Sequence, residues 1–465
     1  MNPPPPRLPG DVRLDSKKAR VRQIGNVPSF AASWTLTAIP RRSPGRLATQ
    51  VTPSLGHAPE RPVREAEALV TGAGIAGLAA ALGFASKGFD TILAGAPERL
   101  AAGRTVALLD GSVRFLSKLG VEDDLKRAGA PLRSLRIIDD TGSLWRAPTI
   151  EFHASEIGLA CFGWNIENVE LVNGLVAQAA ERAHLALSPS RIIAYDFGVE
   201  SVLAHCEDGS RIKARLIVAA DGRNSPTRAA AGLATRVRRL EQEALTTILA
   251  HRRPHNECST EFHTRSGPMT LVPLPTGEDG RHRSSLVWVM SKGEAARRMA
   301  LDDRRLAAEI ESKAQSIHGA MRIAGARGAF ALASRTAVHV TGPRLALIGD
   351  AAHVLPPIGA QGLNLGLRDA AWLIETSEAA RSVGADIGGP QSLARYEASR
   401  RRDVAMRSRA IEALSFSLIA DFAPIDLARS GALAALGAIG PLRRLAMREG
   451  VSPLGATPAS MRRQA

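Results

Sequence analysis

The sequence is short of cysteine, of aromatic residues and of long apolar runs, and each shortage closes off a class of function. Its three cysteines, Cys161, Cys206 and Cys258, lie far apart with no C-x-x-C spacing. That argues against a disulfide framework and a structural zinc site, so no metal is expected, and it points to a reducing compartment. Aromatic residues make up 4% of the 465 positions, too few for base-stacking platforms, and the basic residues are scattered, so nucleic acid is not an expected partner. No run of 18 uncharged apolar residues occurs. The nearest stretch, 430–442, is broken by Pro441 and several glycines, so no membrane span is expected. No segment repeats at a fixed period, which excludes solenoids and propellers.

What remains has ample material for a core: 45% of residues are hydrophobic and 23% charged, the balance of a globular protein. The length suits two or three structural units, including domains interrupted by another segment. The formal net charge of +15 is unevenly spread. Residues 1–65 contain 11 basic and four acidic residues and 11 of the 28 prolines, and their apolar residues follow no helical or strand period. This segment is expected to be a disordered or non-native extension. Its acid-poor, Arg-containing composition suits an organellar transit peptide, a start further downstream is an equal alternative, and without an apolar stretch it is not a secretory signal.

Organisation begins with Glu67-Ala-Leu-Val-Thr71, read as a strand, which passes into the turn Gly72-Ala-Gly-Ile-Ala-Gly77. Ile75, Leu78, Ala79 and Leu82 then recur at helical spacing until Lys87-Gly88, and Thr91-Ile-Leu-Ala94 reads as a second strand. Strand, glycine turn, helix and strand form the context a dinucleotide site requires. Gly72 permits the tight turn, Gly74 lets the backbone approach a pyrophosphate, and Gly77 lets the helix pack on the strand. The helix N-terminus offers free N–H groups and a positive dipole end. One customary feature is missing. Where an acidic residue usually ends the second strand to bind a ribose hydroxyl stand Ala94, Gly95 and Ala96, with Asp90 too early and Glu98 too late.

Two further motifs follow. Residues 201–220 read as a hairpin of two strands ending in Asp221-Gly222, with Arg228 shortly after. An Asp-Gly after a strand is, taken alone, an ordinary turn. Leu345-Ala-Leu-Ile348 reads as a buried strand, followed by Gly349-Asp350-Ala-Ala-His353, Pro356-Pro357 and Gly359-Ala360-Gln361-Gly362-Leu-Asn364-Leu-Gly366. Leu363, Leu367, Ala370, Ala371 and Ile374 then line one helical face. A carboxylate at a strand end can accept hydrogen bonds from sugar-like hydroxyls, and a helix opening at Gly362 can stabilise a negatively charged ring.

In this order the motifs resemble the group A flavin-dependent aromatic hydroxylases, in particular the ubiquinone-biosynthesis hydroxylases that act on polyprenylated phenols. The likeness covers about residues 66 to 450. It implies an α/β fold: an FAD-binding Rossmann-like domain of the para-hydroxybenzoate hydroxylase type, an inserted antiparallel-sheet substrate domain and C-terminal helices. It further implies FAD as cofactor, NADH or NADPH and O2 as co-substrates, and hydroxylation of an aromatic ring. By the same resemblance Gly72, Gly74 and Gly77 hold the ADP half of FAD. Asp350 binds the ribitol hydroxyls, the loop of Gly359, Ala360, Gln361 and Gly362 lies against the pyrimidine edge of the isoalloxazine, and Gly349, Pro357 and Asn364 are further FAD-binding residues. Arg104 and Asn168 approach from other segments, while Asp221, Gly222 and Arg228 match a motif serving both FAD and the nicotinamide. The usual Ala-Gly-Gln-Gly order is inverted here to Gly359-Ala360-Gln361-Gly362.

The flavin carries the chemistry in such enzymes, so no catalytic side chain is assigned; among the histidines, His353 ranks ahead of His255 and His263 only because it sits in the Gly-Asp motif. β-like runs around 245–249, 260–263, 269–272 and 285–289 suggest the second sheet. The expected division is 66–135, 155–235 and 335–380 for the FAD-binding domain, 136–154 and 236–334 for the substrate domain, and 381–465 for C-terminal helices. In that last part Ile411, Leu414, Phe416, Leu418, Ile419, Leu433 and Leu436 precede Arg443-Arg444, an arrangement suited to a membrane surface or, alternatively, to core packing or a dimer interface. The resemblance implies a prenylated phenol as substrate, other enzymes of ubiquinone biosynthesis as partners, and a cytoplasmic location, peripheral on the inner face of the membrane. Hydroxylation of a soluble phenol, flavin-dependent reduction of an isoprenoid double bond and a non-catalytic accessory flavoprotein are the alternatives.

Overall fold

The computed structural model describes residues 62–97, 103–143, 146–419, 423–451 and 457–463. The chain divides into two units, Met1–Ala58 and Pro59–Ala465, and all that follows concerns the second. The extension expected at 1–65 lies almost wholly outside the described residues, as does Glu98.

The strand Val63–Thr71 is the centre of the first sheet. It pairs in parallel with Arg211–Ala219 on one side and Thr91–Ala94 on the other; Leu185–Ser188 and Leu345–Leu347 extend the parallel array. The hairpin read from the sequence is present as Val202–Cys206 against Arg211–Ala219, and Ile192–Phe197 adds a further antiparallel strand. Parallel strands need crossover connections, and the helix Ile75–Ser86 makes the first. Its residues 77–85 are all buried, because it lies between the sheet and the helices Asn168–Glu181 and Gln361–Ser382. Gly83 is what admits the latter: a Cβ there would stand 2.3 Å from Cδ1 of Ile374. Leu367, Ala370, Ala371 and Ile374 join this same core with Leu78, Ala79 and Leu82, which closes the helical face predicted after Gly362.

The second sheet has nine strands, centred on the long Thr235–His251 strand between His282–Ser291 and Gly328–Ala337. All four β-like runs fall within its strands. One pair departs from the antiparallel expectation: Cys258–Thr264 runs parallel to Ser134–Asp139. The latter comes from a distant stretch of chain, so no hairpin dictates its direction. Residues 335–337 and 353–354 also pair within this sheet. One face packs on helices Glu294–Met299 and Asp303–Lys313 through Leu245, Phe262, Leu286 and Trp288. The alternate residues of the same strands form the other face, where the site described below lies. A third, three-stranded sheet of Thr105–Leu109, Gly163–Glu167 and Gly129–Pro131 adjoins them.

Helices Pro390–Ile419, Ala423–Ala438 and Gly440–Val451 follow. Leu418 is buried, and Leu433 and Leu436 pack with Ile150 and Phe152, so this part of the apolar stretch serves the core. The side chains of Ile411, Leu414, Phe416 and Ile419 lie outside the described residues.

Candidate functional site

The first turn of the Ile75–Ser86 helix, the Asp221 turn and the Gly349 loop meet at the carboxyl ends of the parallel strands, the usual ligand crevice of such a sheet. Glycine makes the convergence possible. A Cβ at Gly77 would lie 1.9 Å from the Gly72 carbonyl oxygen, and one at Gly366 would lie 2.9 Å from Cα of Gly349. By contrast, Cβ atoms at Gly74, Gly222 and Gly362 would meet nothing within 4 Å, so these three border open space. Two helices begin there, after Gly74 and after Ala360. Neither has a side-chain cap nor an acidic residue in its first turn, so their free N–H groups and positive dipole ends are left for a ligand.

Asp350 follows Gly349, whose N–H donates to Oδ2 of Asp369 at 3.0 Å. Its side chain is reachable by solvent, yet surrounding protein raises its carboxyl above the ordinary range against the pull of His353 and Arg223. Asp221 accepts the Thr227 N–H through Oδ2 at 2.9 Å, while its Oδ1 is buried without a partner. Thr227 is held in turn by Thr71 and Tyr195, whose phenol burial pushes up to about 12. Asn168 opens the helix Asn168–Glu181; its N–H donates to the Arg104 carbonyl at 2.8 Å, and its Oδ1 too is buried and unpartnered. Two orphaned acceptors, two uncapped helix starts and a glycine-lined gap fit a pyrophosphate- and hydroxyl-bearing cofactor such as FAD. At the end of the second strand, where the acidic residue is missing, Gly95 donates its N–H to the Ser188 carbonyl.

Arg228 and Asn364 are placed differently from the other motif residues. Arg228 is buried and spends its guanidinium on the carbonyls of Ala351, at 2.7 Å, and Arg223, at 3.0 Å. It braces the Asp350 loop against the Asp221 turn. Asn364 accepts the Leu109 N–H and donates to the carbonyls of Ala107 and Ala360, tying the Gly359-Ala360-Gln361-Gly362 turn to the third sheet. In that turn Ala360 has φ +54, a left-handed conformation that favours glycine. The inverted order thus puts the Cβ where backbone freedom is needed.

His353 is fully buried, its Nε2 2.6 Å from Oδ2 of Asp369. Asp369 also accepts from Nε of Arg400 at 2.6 Å, and Arg400, Arg368 and Arg407 converge on Asp403. Burial pushes the Asp369 carboxyl up, but His353 and Arg400 outweigh it and hold it below the usual range; Asp403 is likewise lowered by its three arginines. Arg407 reaches Oε1 of Gln361. This buried network links both flavin-side loops to the long Pro390–Ile419 helix, and it makes His353 a structural partner of Asp369. Sequence reading passed over Asp369, Arg400, Asp403 and Arg407 because charged residues on a helix ordinarily read as a solvated face.

A cavity of about 530 Å³ opens beside the Gly359–Gly362 turn. Leu132, Leu135, Phe152, Phe162, Val272 and Val287 make its walls predominantly apolar. The Gly440–Val451 helix supplies Met447 and Val451 to it, while Leu442, Leu445, Arg444 and Arg448 of that helix are exposed.

Comparison with known proteins agrees with this geometry. The model of the FAD binding domain family matches residues 65–409. The chain is 34% identical over 407 residues to the ubiquinone hydroxylase UbiL of Rhodospirillum rubrum, covering 86% of this chain and 92% of that protein. It is 29% identical over 391 residues to the 3-demethoxyubiquinol 3-hydroxylase of Escherichia coli, covering 82% and 97%. Among solved structures, p-nitrophenol 4-monooxygenase PnpA from Pseudomonas putida superposes with a TM-score of 0.67 at 18% identity, over 83% of this chain and 98% of that one, which shows a common fold. The chain therefore belongs to the FAD-binding aromatic hydroxylases related to the ubiquinone-biosynthesis monooxygenases.

Proposed function

We propose that the protein is an FAD-dependent monooxygenase that uses NAD(P)H and O2 to hydroxylate the ring of a polyprenylated phenol in ubiquinone biosynthesis. The observation that carries this reading is the apolar cavity bordered by the Gly359–Gly362 turn, whose lining suits a hydrocarbon-rich substrate beside the proposed flavin site. Bound FAD supplies the electron transfer and oxygen activation. The chain's own residues bind and orient. Asp350 and the backbone N–H groups after Gly74 hold the ribitol and pyrophosphate, Asn168 and Asp221 offer their unpartnered oxygens to cofactor donors, and the N–H groups after Ala360 face the ring. Arg228, Asn364 and the Asp369 network keep these loops in place. Phe152, Phe162, Leu135 and Val287 keep water from the reacting ring.

A prenyl tail also gives a reason for the exposed Leu442 and Leu445 beside Arg444 and Arg448, on a helix that lines the cavity. This face suits an anionic membrane surface from which such a substrate would enter. No helix of the described residues is long and apolar enough to cross a membrane. Relative kcat/KM for a prenylated phenol and its short-chain counterpart tests the substrate class: the tailed phenol is expected to be favoured at least tenfold, and parity would assign a soluble phenol instead. Label from heavy oxygen in the product separates hydroxylation from reduction of the tail.

A further inference from the structure

The cavity contains a single ionisable side chain among its described lining residues, Glu261. It stands on the strand Cys258–Thr264, opposite Thr270, on the sheet face that also presents Ser259, Val272, Ser285 and Val287. Its Oε1 lies 2.8 Å from Nε2 of His263, and its Oε2 accepts the Thr270 hydroxyl at 3.3 Å. The carboxylate is 12% exposed and the imidazole 3% exposed, and the imidazole Nδ1 is buried with no partner. A largely buried carboxylate is expensive to desolvate, and a single contact to each oxygen leaves acceptor capacity on both unused. Its direction and chemistry suit a ligand that is apolar apart from one hydroxyl donor.

We propose that Glu261, oriented by His263, receives the ring hydroxyl of the phenolic substrate, accepting its hydrogen bond and then its proton as the ring is hydroxylated. This rests on the reading of the substrate as a phenol. In the step the phenolic O–H bond breaks heterolytically and an O–H bond forms on Glu261. The electron pair stays on the phenol oxygen, where it raises the electron density of the ring; the carboxylate becomes neutral, and nothing is oxidised or reduced. Glu261 is thereby a general base that contacts substrate, and His263 a positioning residue.

The test is equilibrium binding to the oxidised, FAD-loaded protein without NAD(P)H, using 2-geranylphenol and its methyl ether, which differ in the hydroxyl donor. The wild type is expected to bind the phenol at least about tenfold more tightly than the ether, the worth of a hydrogen bond to a charged acceptor. In E261Q that ratio should fall to about one third of its value or less, with the affinity for the ether changed less than about twofold. E261D, which keeps a carboxylate, should retain an intermediate ratio, and serves as the decisive variant if E261Q does not hold flavin. An unchanged ratio in E261Q, or in E261D where E261Q holds no flavin, overturns the assignment of Glu261 and leaves the phenol hydroxylase standing. A wild type that hydroxylates the phenol yet binds both probes equally does the same. A wild type that neither binds nor hydroxylates the phenol overturns both readings.

Discussion

At the residue scale the proposed hold on FAD turns on Asp350. Replacing it by alanine removes the carboxylate proposed to accept the ribitol hydroxyls. Two charge-assisted hydrogen bonds lost together should weaken FAD binding about a hundredfold or more. The flavin-free chain should keep its thermal midpoint, because Asp350 is solvent-accessible and no described protein hydrogen bond depends on its side chain. Flavin occupancy after gel filtration checks this; normal occupancy would remove Asp350 from the site. Ala360 makes a second, opposite prediction. With φ at +54 it carries left-handed strain that glycine would not, so Ala360→Gly should stabilise the protein by about 1 kcal/mol in a urea titration. The glycine positions and Asp350 were legible in the sequence because backbone geometry and strand ends restrict residue type there. The roles of Arg228 and Asn364 were not, since a long or branched polar side chain gives no sign in sequence of which carbonyl it will reach.

At the scale of elements, the two flavin-side loops are tied through buried charge to a helix that begins at Pro390. Asp403→Ala would leave Arg368, Arg400 and Arg407 buried around an empty place, which should cost about 3 to 5 kcal/mol and release Gln361 from its anchor. Loss of urea stability together with weakened FAD binding is the expected result. Stability without change would show that the network contributes nothing to the loops. The second sheet holds another buried cluster, at the end of its central strand. His251 and His318 stack with centroids 4.5 Å apart, with His255 and His282 within reach. Burial brings His251 down to about 4 and His318 to about 3, from an ordinary 6.5. The unfolded chain takes up these protons below 6.5 while the folded chain does not. Stability is therefore complete above that pH and is lost as pH falls through the window towards 4 and below. Asp369 and Asp403, held below the carboxylate range, add to the loss under about pH 4. A thermal midpoint that is flat above pH 7 and declines from about pH 6 checks this, and His318→Leu should shallow the slope. The strands of the three motifs, the four β-like runs and the helices after Gly74 and Ala360 were readable from period and turn chemistry. The parallel entry of Ser134–Asp139 and the convergence of four histidines were not, because both bring together residues far apart in the chain.

At the scale of the whole molecule, one sheet presents the proposed cofactor site at its carboxyl edge and the other walls an apolar cavity, with the Gly359–Gly362 turn lining the cavity. The order of the three motifs made the first half visible in the sequence. The cavity could not be read there, since its lining is drawn from nine separate stretches, including a C-terminal helix whose apolar residues divide between cavity and surface. In the proposed function these halves cooperate in hydroxylating a prenylated phenol. The direct measurement is NAD(P)H oxidation by the FAD-loaded protein with and without such a phenol, following hydrogen peroxide and hydroxylated product in the same samples. The account predicts oxidation stimulated by the phenol, with product formed in step and little peroxide. Oxidation indifferent to every phenol tried, prenylated or soluble, with FAD firmly bound, would contradict it and leave an accessory flavoprotein in its place.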